Sequence, residues 1–184
     1  ENEDYKMGKI RQENEEELER GDGKRNGGSG YGSEGTAQAL CMGDSGVKVS
    51  VGTTGDAGNH RAKDDGLEVH NVAEATEKSD VIHILLPDEH HGWVYDEHIK
   101  PNLSPNKVLS CSHGFNIVFK QIVPGDDVDV IMVAPKSPAT EERKAYLAGF
   151  GVPGLIAIEQ DASGNARTIA LDRKSTRLNS SHTS

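Results

Sequence analysis

At 184 residues the chain suits one domain, which can bury roughly 70% of its unfolded surface, yet only 34% of its residues are hydrophobic and 4% aromatic. A formal net charge of −10 excludes the basic surface that a nucleic-acid partner requires. Two cysteines, Cys41 and Cys111, give no disulfide framework; with no bilayer-length apolar run and no leader pattern, the expectation is a soluble cytoplasmic protein without a membrane partner.

Residues 1–29 hold almost no apolar side chains and read as an acidic, disordered lead-in. The domain is therefore expected over 30–171. Thr36–Met42 can open a helix that the glycines from Gly43 to Gly46 close. Val47–Val51 alternates apolar and polar residues as a strand does; Leu67–Val69 is a second short strand and Val72–Lys78 a helix. Val81–Leu86 is almost continuously apolar, as in a strand covered on both faces of a parallel sheet, and Pro87 stops it. His83 inside that run reads as a tolerated core or edge residue. A helix around His91–Ile99 follows, with Trp93 and Tyr95 packing at helical spacing. Strands Val108–Cys111, Val128–Val133 and Val152–Ile158 complete the series. Strands alternating with helices predict an α/β fold, a Rossmann-like doubly wound, mostly parallel sheet. Asp172–Ser184 is polar and aperiodic and reads as a non-native tail.

The chemistry-bearing motif is GGSGYGSEG, which spaces Gly30, Gly32 and Gly35 as G-x-G-x-x-G. The first glycine permits a tight turn, the second lets backbone approach a pyrophosphate, and the third lets the next helix pack closely with its N–H groups toward the phosphates. An acidic residue about 20 positions on should accept the ribose hydroxyls, and Asp56 stands there, after the strand Val47–Val51. A glycine-rich linker produces the same spacing. The residues in front, KRNGG, lack the apolar faces of a central strand, so the first strand is expected to be eroded.

From Gly30 to about Leu171 the sequence resembles the nucleotide-binding domain of ketol-acid reductoisomerase. The stretches GYGSEGTAQAL, DSGVKVSVG, ILLPDE, SHGFNI, DVDVIMVAPKSP and GFGVPGLIAI carry the resemblance in family order, and HGFN with VDVIMVAPK is the most specific. The family isomerises and reduces acetohydroxy acids in branched-chain amino-acid synthesis, using NADPH or NADH and magnesium. Its metal-holding carboxylates belong to a helical second domain that this chain is expected to lack. The resemblance therefore implies a homo-oligomeric enzyme when full length, and a fragment inactive on its own. A nucleotide-binding module without catalysis, or an inert fragment, are the other readings.

Carried over residue by residue, the resemblance makes His113 the active-site histidine and Lys136 a lysine at the cleft rim, with a solvated loop lysine as the alternative. Gly30, Tyr31, Gly32, Ser33, Glu34 and Gly35 form the pyrophosphate turn; Glu34 replaces the family's usual glutamine and brings a negative charge toward the phosphates. Asp88, Glu89, His90 and His91 match a cofactor-contacting loop, and a metal cluster in DEHH is disfavoured because adjacent histidines rarely face one ion. In the loop Gly52–His60, Thr54 stands where phosphate-preferring members place arginine, and Asp56 at the first of their serines. A carboxylate there repels a 2′-phosphate, so NADH is expected over NADPH. Ala139 replaces a glycine near the cofactor. No residue of this chain is assigned to a metal.

Overall fold

The computed structural model describes residues 24–178. Along the chain lie β1 (Asn26–Ser29), α1 (Ser33–Asp44), β2 (Val49–Thr53), α2 (Asp56–Asp64), β3 (Glu68–Asn71), α3 (Val72–Lys78) and β4 (Val81–Ile84). Then come α4 (Asp88–Val94), a π-helical turn (Tyr95–Ile99), β5 (Val108–Cys111), α5 (Phe115–Val118), β6 (Asp129–Pro135), α6 (Ala139–Leu147), β7 (Gly154–Gln160) and α7 (Ala166–Leu178). The seven strands form one sheet in the order β3-β2-β1-β4-β5-β6-β7. All neighbours run parallel except β7, which lies antiparallel to β6. The expected doubly wound α/β architecture is present.

The first strand corrects the sequence expectation. Asn26–Ser29, inside the stretch read as a lead-in, is an interior strand and pairs with β2 on one side and β4 on the other. It needs no apolar side chains because its neighbours come to it. A Cβ on Gly27 would sit 2.4 Å from Ser79 Oγ and 3.1 Å from the Ala75 carbonyl of α3. Gly52 on β2 approaches the same helix, with an added Cβ 3.0 Å from both Val72 Cα and Ala75 Cβ. Two glycines thus form a smooth floor on which α3 lies close to the backbone. The remainder of the acidic lead-in, residues 1–23, falls outside the described residues.

α3 itself is set locally. The Asn71 side chain caps its start, accepting from the Glu74 N–H at 2.9 Å. At its end Lys107 Nζ donates to the Thr76 and Glu77 carbonyls, neutralising orphan acceptors; its own burial there lowers the lysine's pKa. β4 and β5, read as Val81–Leu86 and Val108–Cys111, are buried along their whole length. One sheet face packs Ile82, Ile84, Leu109, Cys111 and Val130 against Val72, Val94, Tyr95 and Ile117. The other packs Val81, Val108, Ile131 and Val133 against Ala166 and Ala170 of α7.

Four helices differ from the sequence reading; α2 begins within the stretch read as the loop Gly52–His60, and α5 is too short to show a period. α6, which interrupts the run between β6 and β7, carries a pattern too polar to register as an amphipathic stretch. α7 continues through Asp172, where the tail was expected to begin, and buries Arg173, which donates to Asn26 Oδ1 of β1. Residues 179–184 lie outside the described residues.

Burial on the first face sets an alkaline limit. It pushes the Cys111 thiol from 9.0 up to about 11 and the Tyr95 hydroxyl from 10.0 up to about 12. The unfolded chain ionises these groups first, so their contribution to stability is whole below about pH 9 and is lost as pH rises through about 11. The melting temperature is expected to fall between pH 9 and 10.5. The early part of that fall should shrink in Cys111→Ala; an identical profile in the variant would contradict the assignment.

Candidate dinucleotide site

The turn after β1 has the geometry its spacing predicts. Gly30 adopts φ 105, a left-handed value that glycine alone enters without strain, and an added Cβ would meet the Leu85 carbonyl at 3.1 Å. A Cβ on Gly35 would lie 2.4 Å from the Gly30 carbonyl, so the start of α1 packs directly on the turn. Gly32 is the opposite case: it caps α1 in extended backbone, without a side-chain cap, and a Cβ there meets nothing within 4 Å. The first turn of a helix leaves backbone N–H groups without intrahelical partners, and a helix start that follows an open glycine suits an anion. The residues present fit a pyrophosphate.

Ser33 and Glu34 are exposed on the first turn of α1. Tyr31, in the same turn, points its side chain inward. It is buried among Ala39, Val51 and Ala62; its hydroxyl donates to Asp65 Oδ2 at 2.7 Å, and Arg61 Nη2 donates to its carbonyl at 3.0 Å. Burial first, and Asp65 second, raise its pKa well above that of an ordinary phenol. Tyr31 thus ties the turn to α2.

The other candidates lie along the same carboxyl edge of the sheet. Thr54 is exposed beyond β2, and Asp56 is the first residue of α2. Asp88, Glu89 and His90 are exposed on the first turn of α4. His91, unlike its neighbours, is buried, and its Nε2 lies 2.7 Å from the Leu86 carbonyl, to which it can donate. Past β5, His113 stands exposed with Nδ1 3.4 Å from Asp88 Oδ2, so those two candidates meet. Lys136 is exposed beyond β6, its amide donating to the Pro153 carbonyl, and Ala139 opens α6.

Sequence reasoning missed the residues behind this edge. Asn116 is buried and donates to the Asp88 carbonyl at 3.1 Å. Gln38, Ser112, His83 and Ser110 form a continuous polar line beneath His113. His83 carried the only prior signal, a polar ring in an apolar strand.

Among the described residues, no three His, Cys, Asp or Glu side chains come together to hold a metal ion. No helix among the described residues is long and apolar enough to cross a membrane.

Comparison with known proteins agrees with this geometry. The family model of the acetohydroxy acid isomeroreductase NADPH-binding domain matches residues 23–176, a span that takes in β1 and most of α7. A ketol-acid reductoisomerase (NAD(+)) from an uncultured archaeon is 57% identical over 148 residues, covering 77% of this chain and 45% of the relative. A ketol-acid reductoisomerase (NADP(+)) from Akkermansia muciniphila is 59% identical over 142 residues, covering 77% and 44%. The solved structure of an NADH-preferring ketol-acid reductoisomerase from an uncultured archaeon superposes with TM-score 0.83 at 52% identity, over 85% of this chain and 49% of that one. The chain thus spans less than half the length of the curated relatives it matches. The chain belongs to the ketol-acid reductoisomerase family and carries its nucleotide-binding domain.

Proposed function

We propose that this chain is the cofactor-binding part of a ketol-acid reductoisomerase and that it binds NADH in preference to NADPH. The carrying observation is the turn Gly30–Gly35, crowded at both outer glycines and open at Gly32. A reduced nicotinamide cofactor would supply the hydride for an acetohydroxy acid substrate. The turn would hold the pyrophosphate on the amides of α1, and the β2–α2 loop with Thr54 and Asp56 would receive the ribose. His113, with Asp88 beside it, would orient or exchange a proton near the transferred oxygens. The metal-dependent alkyl migration belongs, on this reading, to a part of the enzyme outside this chain. The exposed apolar side chains Phe115, Val118 and Phe119 beside His113 fit coverage by that part. A cytoplasmic homo-oligomer is the expected full-length form.

Relatives named for NAD(+) and for NADP(+) are about equally similar, so the preference rests on the loop. A carboxylate at Asp56 disfavours a 2′-phosphate, and a tenfold preference needs only about 1.4 kcal/mol. Titration of the chain with each reduced cofactor, followed by nicotinamide fluorescence, is expected to give saturable binding with NADH at least about tenfold tighter. Equal or reversed affinities would remove the role of Asp56. Absence of binding to either would overturn the cofactor-binding reading.

A further inference from the structure

We propose that His83 is a positioning residue for His113, acting through Ser112. The inference rests on the reading of His113 as the active-site histidine. His83 lies on β4 opposite Gly28 on one side and Ser110 on the other. Its ring is fully buried, as are Ser110 and Gln38. The ring stands over the sheet between α1 and the end of β5. There His83 Nδ1 lies 2.6 Å from Ser110 Oγ and Nε2 lies 3.0 Å from Ser112 Oγ. Gln38 Nε2 of α1 reaches the same Ser112 Oγ at 3.3 Å.

Hydrogen-bond bookkeeping gives the line a direction. Ser112 Oγ accepts from the Gln38 amide and has one proton to give, which points to His83 Nε2 as its acceptor. A neutral His83 then carries its own proton on Nδ1 and donates to Ser110. Ser112 is thereby gripped from two elements, β4 and α1, at the residue immediately before His113. From the front, the His113 ring meets exposed partners, Asp88 and Phe115. Nδ1 lies 3.4 Å from Asp88 Oδ2 and can accept from the Phe115 N–H at 3.4 Å, and the ring stacks loosely on Phe115 at 6.3 Å. The rigid hold on the loop is therefore behind it, in the buried line. A buried ring hydrogen-bonded at both nitrogens holds its partners in one arrangement, and its effect falls on the loop that presents His113.

The test separates positioning from simple packing through the two ring nitrogens. An asparagine amide reaches the Nδ1 position and a glutamine amide the Nε2 position. In the 184-residue chain, amide hydrogen exchange at Val118, which donates to the Gly114 carbonyl, reports the loop, and exchange at Ile131 in β6 reports the sheet. With His83→Leu and His83→Asn, exchange at Val118 is expected to rise about tenfold relative to Ile131, and with His83→Gln to stay within about twofold. Should His83→Leu fail to fold, the asparagine and glutamine variants still decide. Equal acceleration at both amides, no change at either, or rescue by asparagine as good as by glutamine would overturn the proposal. Cofactor titration of the same variants keeps the two readings apart, since loop exchange responds whether or not nicotinamide binds.

Discussion

Gly35→Ala is expected to abolish dinucleotide binding and to lower the melting temperature by about 5–10 °C. The added methyl would lie 2.4 Å from the Gly30 carbonyl oxygen, a backbone atom that cannot rotate away. Either α1 lifts from the turn or the turn flattens, and in both cases the helix amides no longer face the phosphates. Overpacking of this kind costs about 1–3 kcal/mol, and each kcal/mol is worth about 2–4 °C in a chain of this size. Gly43→Ala supplies the control on the same helix. Its methyl meets nothing within 4 Å, and alanine favours the helix over glycine by about 1 kcal/mol. Nicotinamide fluorescence and thermal melts read both variants. Retained binding in Gly35→Ala would show that the turn is not where the pyrophosphate sits.

Gly27→Val is expected to be more damaging still, although by composition it improves the strand. Valine is a strand former, and its absence is why NGGS does not look like a central strand. In place, however, its Cβ would start 2.4 Å from Ser79 Oγ, 3.0 Å from Ser79 Cβ and 3.1 Å from the Ala75 carbonyl. The branches then extend further into α3. We expect a loss of at least about 3 kcal/mol, a large share of the roughly 5–15 kcal/mol that holds a domain together. Gly28→Ala, one residue on, points to the opposite sheet face and meets Leu85 and Ser50 only at 4.0 Å; it should be tolerated. Urea unfolding of the two variants decides the matter. A neutral Gly27→Val would mean that α3 can rise from the sheet and that the glycine floor is incidental.

That contrast explains what the sequence could and could not reveal. β5 and α3 were legible to the residue, because Val108–Cys111 is a run of buried positions and α3 carries its own cap at Asn71. β1 was not, since its burial comes from Ala75 and Ser79, which lie about fifty positions further on. The antiparallel course of β7 is likewise a property of its pairing with β6 and leaves no mark in GLIAIEQ. At the site, the glycine spacing foretold the turn, and the strand before His113 foretold its exposed position past the end of β5. The inward course of the Tyr31 and His91 side chains was not legible, because adjacency in a motif says nothing of which way a side chain turns. His83 and Ser112 are 29 residues apart, and nothing short of the sheet register brings them together.

The clamp on Tyr31 has a practical meaning for anyone wishing to change which cofactor the protein prefers. Arg61 of α2 and Asp65 just past its end hold the turn Gly30–Gly35, and the loop with Thr54 and Asp56, proposed to receive the ribose, leads into that same helix. Swapping the loop alone would leave a foreign helix start under an old latch. A transplant of nucleotide preference should therefore take Tyr31 through Asp65 as one cassette.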